Sequence, residues 1–158
     1  TANDVREKGW EMKDTSPREG TTLYWQLLFP SGVYEEDSVL GVAVDASTVA
    51  LFGDSIDEAD GLFGRPSVED VENSVVVHEV GHLLGLVNLV YQSPVDHEDD
   101  EHPGHSNNDE SVMYWAIEST DLTNFFFGSL PNEFDADDLA DLAGLADGSI
   151  SIRDQLWP

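Results

Sequence analysis

The feature that most constrains the fold is a long apolar segment with a helix start signal at Ser67 and a helix stop signal at Gly85. Serine followed by acidic residues is typical of a helix N-terminus, whereas glycine commonly ends a helix. Residues of one face recur at spacings of four, three and four: Val71, Val75, His78 and His82. We therefore predict one helix over this segment, with two histidines one turn apart on the face toward the core and a cleft.

The two histidines on this helix, His78 and His82, form half of a tetrahedral metal site. Both imidazoles project from one face, so each ring can place a nitrogen about 2 Å from the same ion. Glu79 follows the first histidine, which places its carboxylate beside the ion, where it can act as a general base on a bound water. The pattern predicts two metal ligands and a catalytic glutamate.

The distribution of histidines distinguishes this prediction from a chance HExxH pattern on an ordinary buried helix. All five histidines of the chain fall between residues 78 and 105: His78, His82, His97, His102 and His105. Histidines with separate structural roles would be expected to scatter along the chain. The clustering favours a metal site.

The segment over residues 78–85, HEVGHLLG, resembles the active-site motif of the metzincin metallopeptidases. Metzincins have the pattern HExxHxxGxxH, followed by a separate turn that contains a methionine. Gly85 matches the glycine of that motif, but Asn88 stands where the third histidine is expected. Amides are poor zinc ligands beside imidazoles, so either Asn88 is a rare substitute or another residue supplies the third ligand.

His105 is the best candidate for that third ligand. It lies eight residues before Met113, a spacing that resembles the one between the third ligand and the turn methionine in matrixins. In archaemetzincins the same interval carries two cysteines, at the positions held here by Ser106 and Ser111. The resemblance implies that His105 binds zinc, that Met113 packs beneath the zinc without binding it, and that residues 86–104 form an inserted loop. The alternatives to His105 that stay open are Asn88, His97 and His102.

The resemblance also implies an activity and a substrate class. It implies a zinc-dependent endopeptidase, in which zinc activates a water and polarises the scissile carbonyl while Glu79 moves the proton. An extended peptide or protein substrate would pair with an exposed sheet edge through its backbone. The matching edge strand contains Gly41, Val42 and Ala43, and the residues expected to line a substrate pocket after the turn methionine are Tyr114 and Trp115.

Three alternative functions remain, and the first two use the same motif. A gluzincin-type peptidase would take its third ligand from a downstream glutamate, but that leaves Gly85 and the spacing to Met113 unexplained. A non-catalytic metal-binding module of a halophilic protein would keep the histidines and bind metal without hydrolysis. An acidic interaction domain would bind no zinc at all.

The segment over residues 96–102, DHEDDEH, combines two histidines with five carboxylates. One interpretation is a hydrated acidic loop on the surface. The other is a second cation site near His97 and His102, or an outer support for the zinc ligands.

The charge of the chain is extreme, with 33 acidic and 6 basic residues and a formal net charge of −27. Such a chain repels nucleic acid and anionic membrane surfaces. High net charge also favours disorder, but a hydrophobic content of 40% argues against it. We interpret the composition as that of a halophilic protein, whose self-repulsion is screened at molar salt. We expect a monomer, and the sequence leaves secretion, the cell surface and a high-salt cytoplasm open.

The length of 158 residues predicts a single catalytic domain over residues 1–158. The absence of cysteine excludes disulfides and thiolate metal ligands within this chain. We predict an α+β fold, in which a small twisted mixed β-sheet packs on the active-site helix above an irregular lower lobe with a C-terminal helix. The segments concerned are a helix at 5–12, strands at 21–29, 39–44 and 48–52, a loop at 54–66 and a helix at 135–146. In the last helix, a buried stripe is expected at Leu139, Leu142 and Leu145.

Overall fold

The computed structural model describes residues 1–14, 20, 24–36, 38–59, 66–120 and 129–153. In these residues the chain is a mixed α+β fold, as predicted, with a small three-stranded mixed sheet. The strands are β1 (Gln26–Leu28), β2 (Gly41–Asp45) and β3 (Thr48–Leu51). The helices are α1 (Ala2–Met12), α2 (Gly53–Glu58), α3 (Val68–Leu83) and α4 (Ala136–Asp147), together with a 3₁₀ helix at Trp115–Glu118.

The sheet has the strand order β1-β3-β2. Strand β3 lies in the centre, parallel to β1 and antiparallel to β2, so β2 is an edge strand of this sheet. Strand β2 also packs closely against α3. A Cβ added to Gly41 would approach Val75 Cγ1 to 2.5 Å and Glu79 Oε1 to 2.9 Å. The glycine therefore allows the edge strand to approach the glutamate of the HExxH motif closely.

Helix α3 begins and ends as the sequence predicted. Ser67 accepts a hydrogen bond from the backbone N–H of Asp70, whose carboxylate in turn accepts from the backbone N–H of Ser67. At the other end Gly85 has a φ of +87°, a conformation that favours glycine. The amide of Leu86 donates to the carbonyl of Gly81, and that of Gly85 to the carbonyl of His82, which is the Schellman pattern. Both signals are local, which explains why the sequence revealed them.

The sheet and α3 enclose the main hydrophobic core. Its buried members come from the sheet, α2, α3, the 3₁₀ helix and neighbouring segments: Leu40, Val49, Leu51, Ile56, Val71, Val75, Ala116, Ile117 and Leu130. The face of α3 that carries Val71, Val75 and His78 is buried, in agreement with the predicted spacing. The core therefore fixes the position of the helix that carries the histidines.

Two elements in the first half of the chain differ from the sequence prediction. The predicted loop at 54–66 begins with helix α2, and residues 60–65 lie outside the described part of the chain. Ile56 on this helix is buried in the main core, which stabilises a short helix that its Gly- and Asp-rich sequence did not indicate. The predicted strand at 21–29 is described only from residue 24 and forms a strand at Gln26–Leu28.

The segment between α3 and the 3₁₀ helix contains neither a helix nor an extended strand. It is nevertheless packed, through a second cluster of buried residues: Leu86, Val87, Val90, Tyr91, Val112 and Met113. Isolated bridges join Ser106 to Glu98 and to Tyr114. The irregular region is followed, after the 3₁₀ helix, by helix α4, so a terminal helix forms near the predicted position.

The predicted leucine stripe of α4 is wrong at Leu139, which is 53% exposed. The helix instead buries Asp138, Asp141 and Gly144. Leu142 and Leu145 are only partly buried, at the edge of the second cluster. The face with the two aspartates turns inward because both side chains have polar partners inside the protein. A hydrophobicity pattern does not include such polar contacts.

No helix in the described part of the chain is both long enough and apolar enough to cross a membrane.

Candidate metal centre

Four side chains meet beside helix α3, and one potential ligand atom of each lies within 4.8 Å of those of the others. His78 and His82 come from α3, His105 comes from the irregular segment, and Glu118 comes from the last position of the 3₁₀ helix. The sequence had predicted the three histidines together. The structure brings all three into one group and adds the glutamate.

The three imidazoles face one another at short range. Their ring centroids are 4.7 Å apart for His78 and His82, 5.2 Å for His78 and His105, and 5.0 Å for His82 and His105. The Nε2 atoms of His78 and His82 are 3.1 Å apart. Nitrogens bound to one zinc ion at about 2.0–2.1 Å lie roughly 3.3 Å apart in a tetrahedral site, so this separation is close to that of two ligands.

Backbone carbonyls orient the two helix histidines. Nδ1 of His78 lies 2.7 Å from the carbonyl oxygen of Val112, and Nδ1 of His82 lies 3.3 Å from that of Leu86. A ring that donates its Nδ1 hydrogen to a carbonyl leaves the lone pair of Nε2 free for a metal. Both rings therefore present the nitrogen that faces the centre of the group.

Glu118 approaches the same point with its carboxylate. Its Oε2 lies 3.7 Å from Nε2 of His78 and 4.0 Å from Nε2 of His82, and its Oε1 lies 3.4 Å from Nε2 of His105. The sequence analysis missed this residue. Its only sequence signal is a position shortly after the predicted methionine turn, and it reaches the histidines because the 3₁₀ helix turns the chain back toward α3.

The electrostatics of the group suit a cation. Burial, followed by the neighbouring rings of His78 and His105, lowers the pKa of His82 to about 3. Burial by itself would raise the pKa of Glu118, but the attraction of the His105 and His78 rings outweighs it and lowers the pKa. A neutral imidazole and an ionised carboxylate are the forms that bind metal.

Glu79 lies beside this group and is not one of its four members. Its side chain is fully buried, and neither carboxylate oxygen has a hydrogen-bond partner of regular geometry among the described residues. Burial and then the charge of Glu118 raise its pKa well above the usual value, while the backbone amide of Ala43 acts in the opposite direction. Glu79 is thus a buried carboxyl group between the edge strand and the histidines.

Met113 is fully buried and packs against helix α3 at the HExxH motif. A Cβ added to Gly81, between the two helix histidines, would collide with the sulfur of Met113 and would come within 3.0 Å of a ring carbon of Phe134. The carbonyl of Met113 accepts a hydrogen bond from the amide of Ser106, next to His105. The methionine therefore connects the segment that carries His105 to the helix.

Asn88 takes part in a different set of contacts. Its Nδ2 donates to Glu98 at 3.0 Å, and its Oδ1 accepts from the backbone amide of Ser93 at 2.7 Å. Its φ of 57° is left-handed, a conformation that asparagine tolerates better than most residues. The side chain organises the irregular segment and is not in the four-residue group.

The two histidines of the acidic segment do not share one site, and of the two only His97 belongs to a group of described residues that could hold the second cation expected near them. Nδ1 of His102 lies 3.1 Å from Asp99, and its ring stacks on Trp115 at 4.2 Å with an interplanar angle of 9°. His97 instead turns inward and belongs to a second group with Asp135 and Asp138. The two rings separate because one packs on an aromatic surface and the other on α4.

The residues expected to bind substrate lie on two sides of the centre. Gly41, Val42 and Ala43 are in β2, the sheet edge next to Glu79. Tyr114 and Trp115 lie at the start of the 3₁₀ helix, with ring centroids 5.7 Å apart. Their roles toward a substrate stay predictions.

No protein-family model, no curated protein and no solved structure matches the chain.

Proposed function

We propose that the protein is a zinc-dependent endopeptidase that hydrolyses peptide bonds at the centre formed by His78, His82 and His105, with Glu79 as the general base. The observation that carries this proposal is the convergence of three imidazoles beside a buried glutamate that is not itself part of the ligand group. Three histidines and an adjacent free carboxylate are the components of a hydrolytic zinc site. The resemblance to metzincins is consistent with the same assignment.

The donor set fits zinc. Imidazole nitrogen and carboxylate oxygen are both zinc ligands. The spacing between His78 and His82 and those from Glu118 to the three histidines, from 3.1 Å to 4.0 Å, are close to those of ligands around one ion. Zinc held there would act as a Lewis acid that polarises a carbonyl and lowers the pKa of water toward ~7. The histidines are buried or nearly so, which limits competition from solvent.

Glu79 is suited to hold and return a proton. The raised pKa of Glu79 makes its carboxylate a stronger base than an exposed glutamate, because the proton is bound more tightly in a buried environment. The amide of Ala43 in β2 interacts with this carboxylate. The strand could therefore position the base and, at the same edge, receive an extended peptide through backbone hydrogen bonds.

A second candidate is a non-catalytic metal-binding module, and the position of Glu118 favours it. Structural zinc sites are closed by four protein ligands, whereas catalytic sites keep one position open. Glu118 is a fourth potential ligand in the group. A gluzincin-type set, in which Glu118 is the third ligand, is less favoured because His105 reaches the same point.

The substitution Glu79→Gln tests the proposal. The zinc-loaded protein would be offered a library of fluorescence-quenched peptides at molar salt, and its zinc content would be measured in parallel. We expect this variant to keep its zinc and to lose about 10²–10⁴-fold in kcat/KM, since general bases contribute factors of that size.

The matched control is Glu69→Gln, which makes the same change at an exposed position in the first turn of the same helix. It should retain activity. Near-normal hydrolysis by the Glu79→Gln variant would refute the role of the base, and zinc binding without hydrolysis of any peptide by the unmodified protein would favour the metal-binding module.

A further inference from the structure

A second polar group is buried between the irregular segment and α4, and it shares no residue with the proposed active centre. Its core is His97, Asp138 and Asp141, whose exposed fractions are 2%, 0% and 1%. Asp135, the N-cap residue of α4, is close enough to share an ion with His97 and Asp138. Burying two carboxylates costs free energy unless each has compensating partners. The hydrogen bonds of the group therefore show which of its polar atoms lack a partner.

Most of the polar atoms in this group have partners. Asp141 accepts from Ser93 Oγ at 2.8 Å through Oδ1 and lies 3.0 Å from His97 Nε2 through Oδ2. Oδ2 of Asp138 accepts from Ser111 Oγ at 2.6 Å and from the backbone amide of Asp135. These contacts account for both oxygens of Asp141 and one oxygen of Asp138.

Two atoms of this group have no hydrogen-bond partner among the described residues, and they face each other. Nδ1 of His97 and Oδ1 of Asp138 are buried without a hydrogen bond, and they lie 3.8 Å apart. When Nε2 of His97 donates its hydrogen to Asp141, Nδ1 of the neutral ring presents a lone pair to a carboxylate oxygen. Two lone pairs repel at this range, and 3.8 Å is too long for a hydrogen bond from an imidazolium.

An ion between the two atoms removes this conflict. Ligands about 2.0–2.2 Å from a zinc ion lie roughly 3.3–3.8 Å apart at tetrahedral or slightly wider angles, which includes the observed separation. The His97–Asp141 contact is also the arrangement that metal-binding histidines prefer, because the ring nitrogen that does not bind the metal usually donates to a carboxylate.

We propose that His97 Nδ1, Asp138 Oδ1 and the carboxylate of Asp135 form a second site for a divalent transition-metal ion, with Asp141 orienting the histidine. A mixed set of imidazole and carboxylates favours zinc over calcium or magnesium, which prefer oxygen ligands alone. The ion would connect the segment between α3 and the 3₁₀ helix to α4. That segment also carries His105 and Met113, so the second ion would stabilise the structure around the first.

Zinc stoichiometry tests the site, with His97→Gln as the variant and His102→Gln as its control. The control removes a histidine from the same segment whose partners are Asp99 and Trp115. Each protein would be loaded with zinc and exchanged against molar salt, which releases ions held loosely by the acidic surface. We expect His97→Gln to bind one zinc fewer than the unmodified protein and to melt at a lower temperature, and His102→Gln to match the unmodified protein in zinc content.

A crystallographic measurement on the unmodified protein avoids the risk that a variant fails to fold. Crystals of the zinc-loaded protein, measured at the zinc absorption edge, should show anomalous density between His97 and Asp138. Density at the His78 centre alone in crystals saturated with zinc would overturn the second site. This result is independent of the peptidase assay, because zinc at His97 can be observed whether or not the protein hydrolyses peptides.

Discussion

Nε2 of His105 lies 3.4 Å from Oε1 of Glu118. This contact joins a histidine of the irregular segment to the last residue of the 3₁₀ helix, and both side chains also approach the two histidines of α3. The position of Glu118 decides whether the centre has three protein ligands or four. Catalytic and structural zinc sites differ in this respect.

We predict that Glu118→Gln keeps zinc at the His78 centre, because three imidazoles suffice to hold it. Loss of one charged partner should weaken zinc affinity by about tenfold, which corresponds to ~1.4 kcal/mol, and peptidase activity should stay within about tenfold of normal. Affinity would be measured by competition with a chromogenic chelator. The exposed Glu110→Gln variant is the control, and complete loss of zinc from the centre in Glu118→Gln would instead indicate a closed four-ligand site.

We predict that His105→Ala loses most zinc affinity at the centre and most activity, whereas Asn88→Gly retains much of both. Glycine is the better control substitution at Asn88, because it accepts the left-handed backbone conformation there. It should still lower stability, since the hydrogen bonds to Glu98 and from Ser93 are lost at roughly 0.5–1.5 kcal/mol each. Zinc content and thermal melting would be measured together. Zinc binding at the centre that survives in His105→Ala and vanishes in Asn88→Gly would reverse the assignment of the third ligand.

We predict that Gly81→Ala destabilises the protein by about 1–3 kcal/mol, the usual range for overpacking a core. The added methyl group would collide with the sulfur of Met113, which holds the segment carrying His105 against the helix. Gly53→Ala is the matched control, because an added Cβ there meets no atom within 4 Å. Both variants would be compared by denaturant unfolding. Equal stability of the two would show that Met113 adapts freely and does not fix the site.

We predict that the melting temperature falls as salt is reduced from molar to tens of millimolar. The net charge of −27 produces self-repulsion, which is screened at molar salt, where the Debye length is about 3 Å. Ion pairs offer little compensation: the Lys8–Glu11 pair, for example, is exposed. Calorimetry in sodium chloride, with sucrose as a non-ionic comparison, would measure the effect. A melting temperature that is flat or rises on desalting would exclude the halophilic interpretation.

The sequence was most informative where structure depends on neighbouring residues. The start of α3 at Ser67, its end at Gly85 and the common face of His78 and His82 all follow from helix geometry and capping, which act within one or two turns. The identity of the strands around Val42 and Val49 followed in the same way, from short apolar segments separated by turn residues.

The spacing between His105 and Met113 also correctly indicated that His105 would approach the helix histidines, although the residues between are an irregular segment. That inference used resemblance to a family and not local physics. Glu118 has a single sequence signal, its position shortly after the predicted methionine turn, and that signal did not suffice to place it in the group. Its approach depends on how the 3₁₀ helix packs against α3, which is a long-range property.

Helix α4 is a second case in which long-range contacts decided what its own sequence did not. Its sequence alone determined that a capped helix would form near Asp135, but tertiary structure decided which face is buried. A hydrophobicity pattern assigns aspartates to the solvent, because burying a lone carboxylate is costly. Here Ser93, His97 and Ser111 reach Asp138 and Asp141 from distant positions and offset that cost, so the carboxylates are buried and Leu139 is exposed.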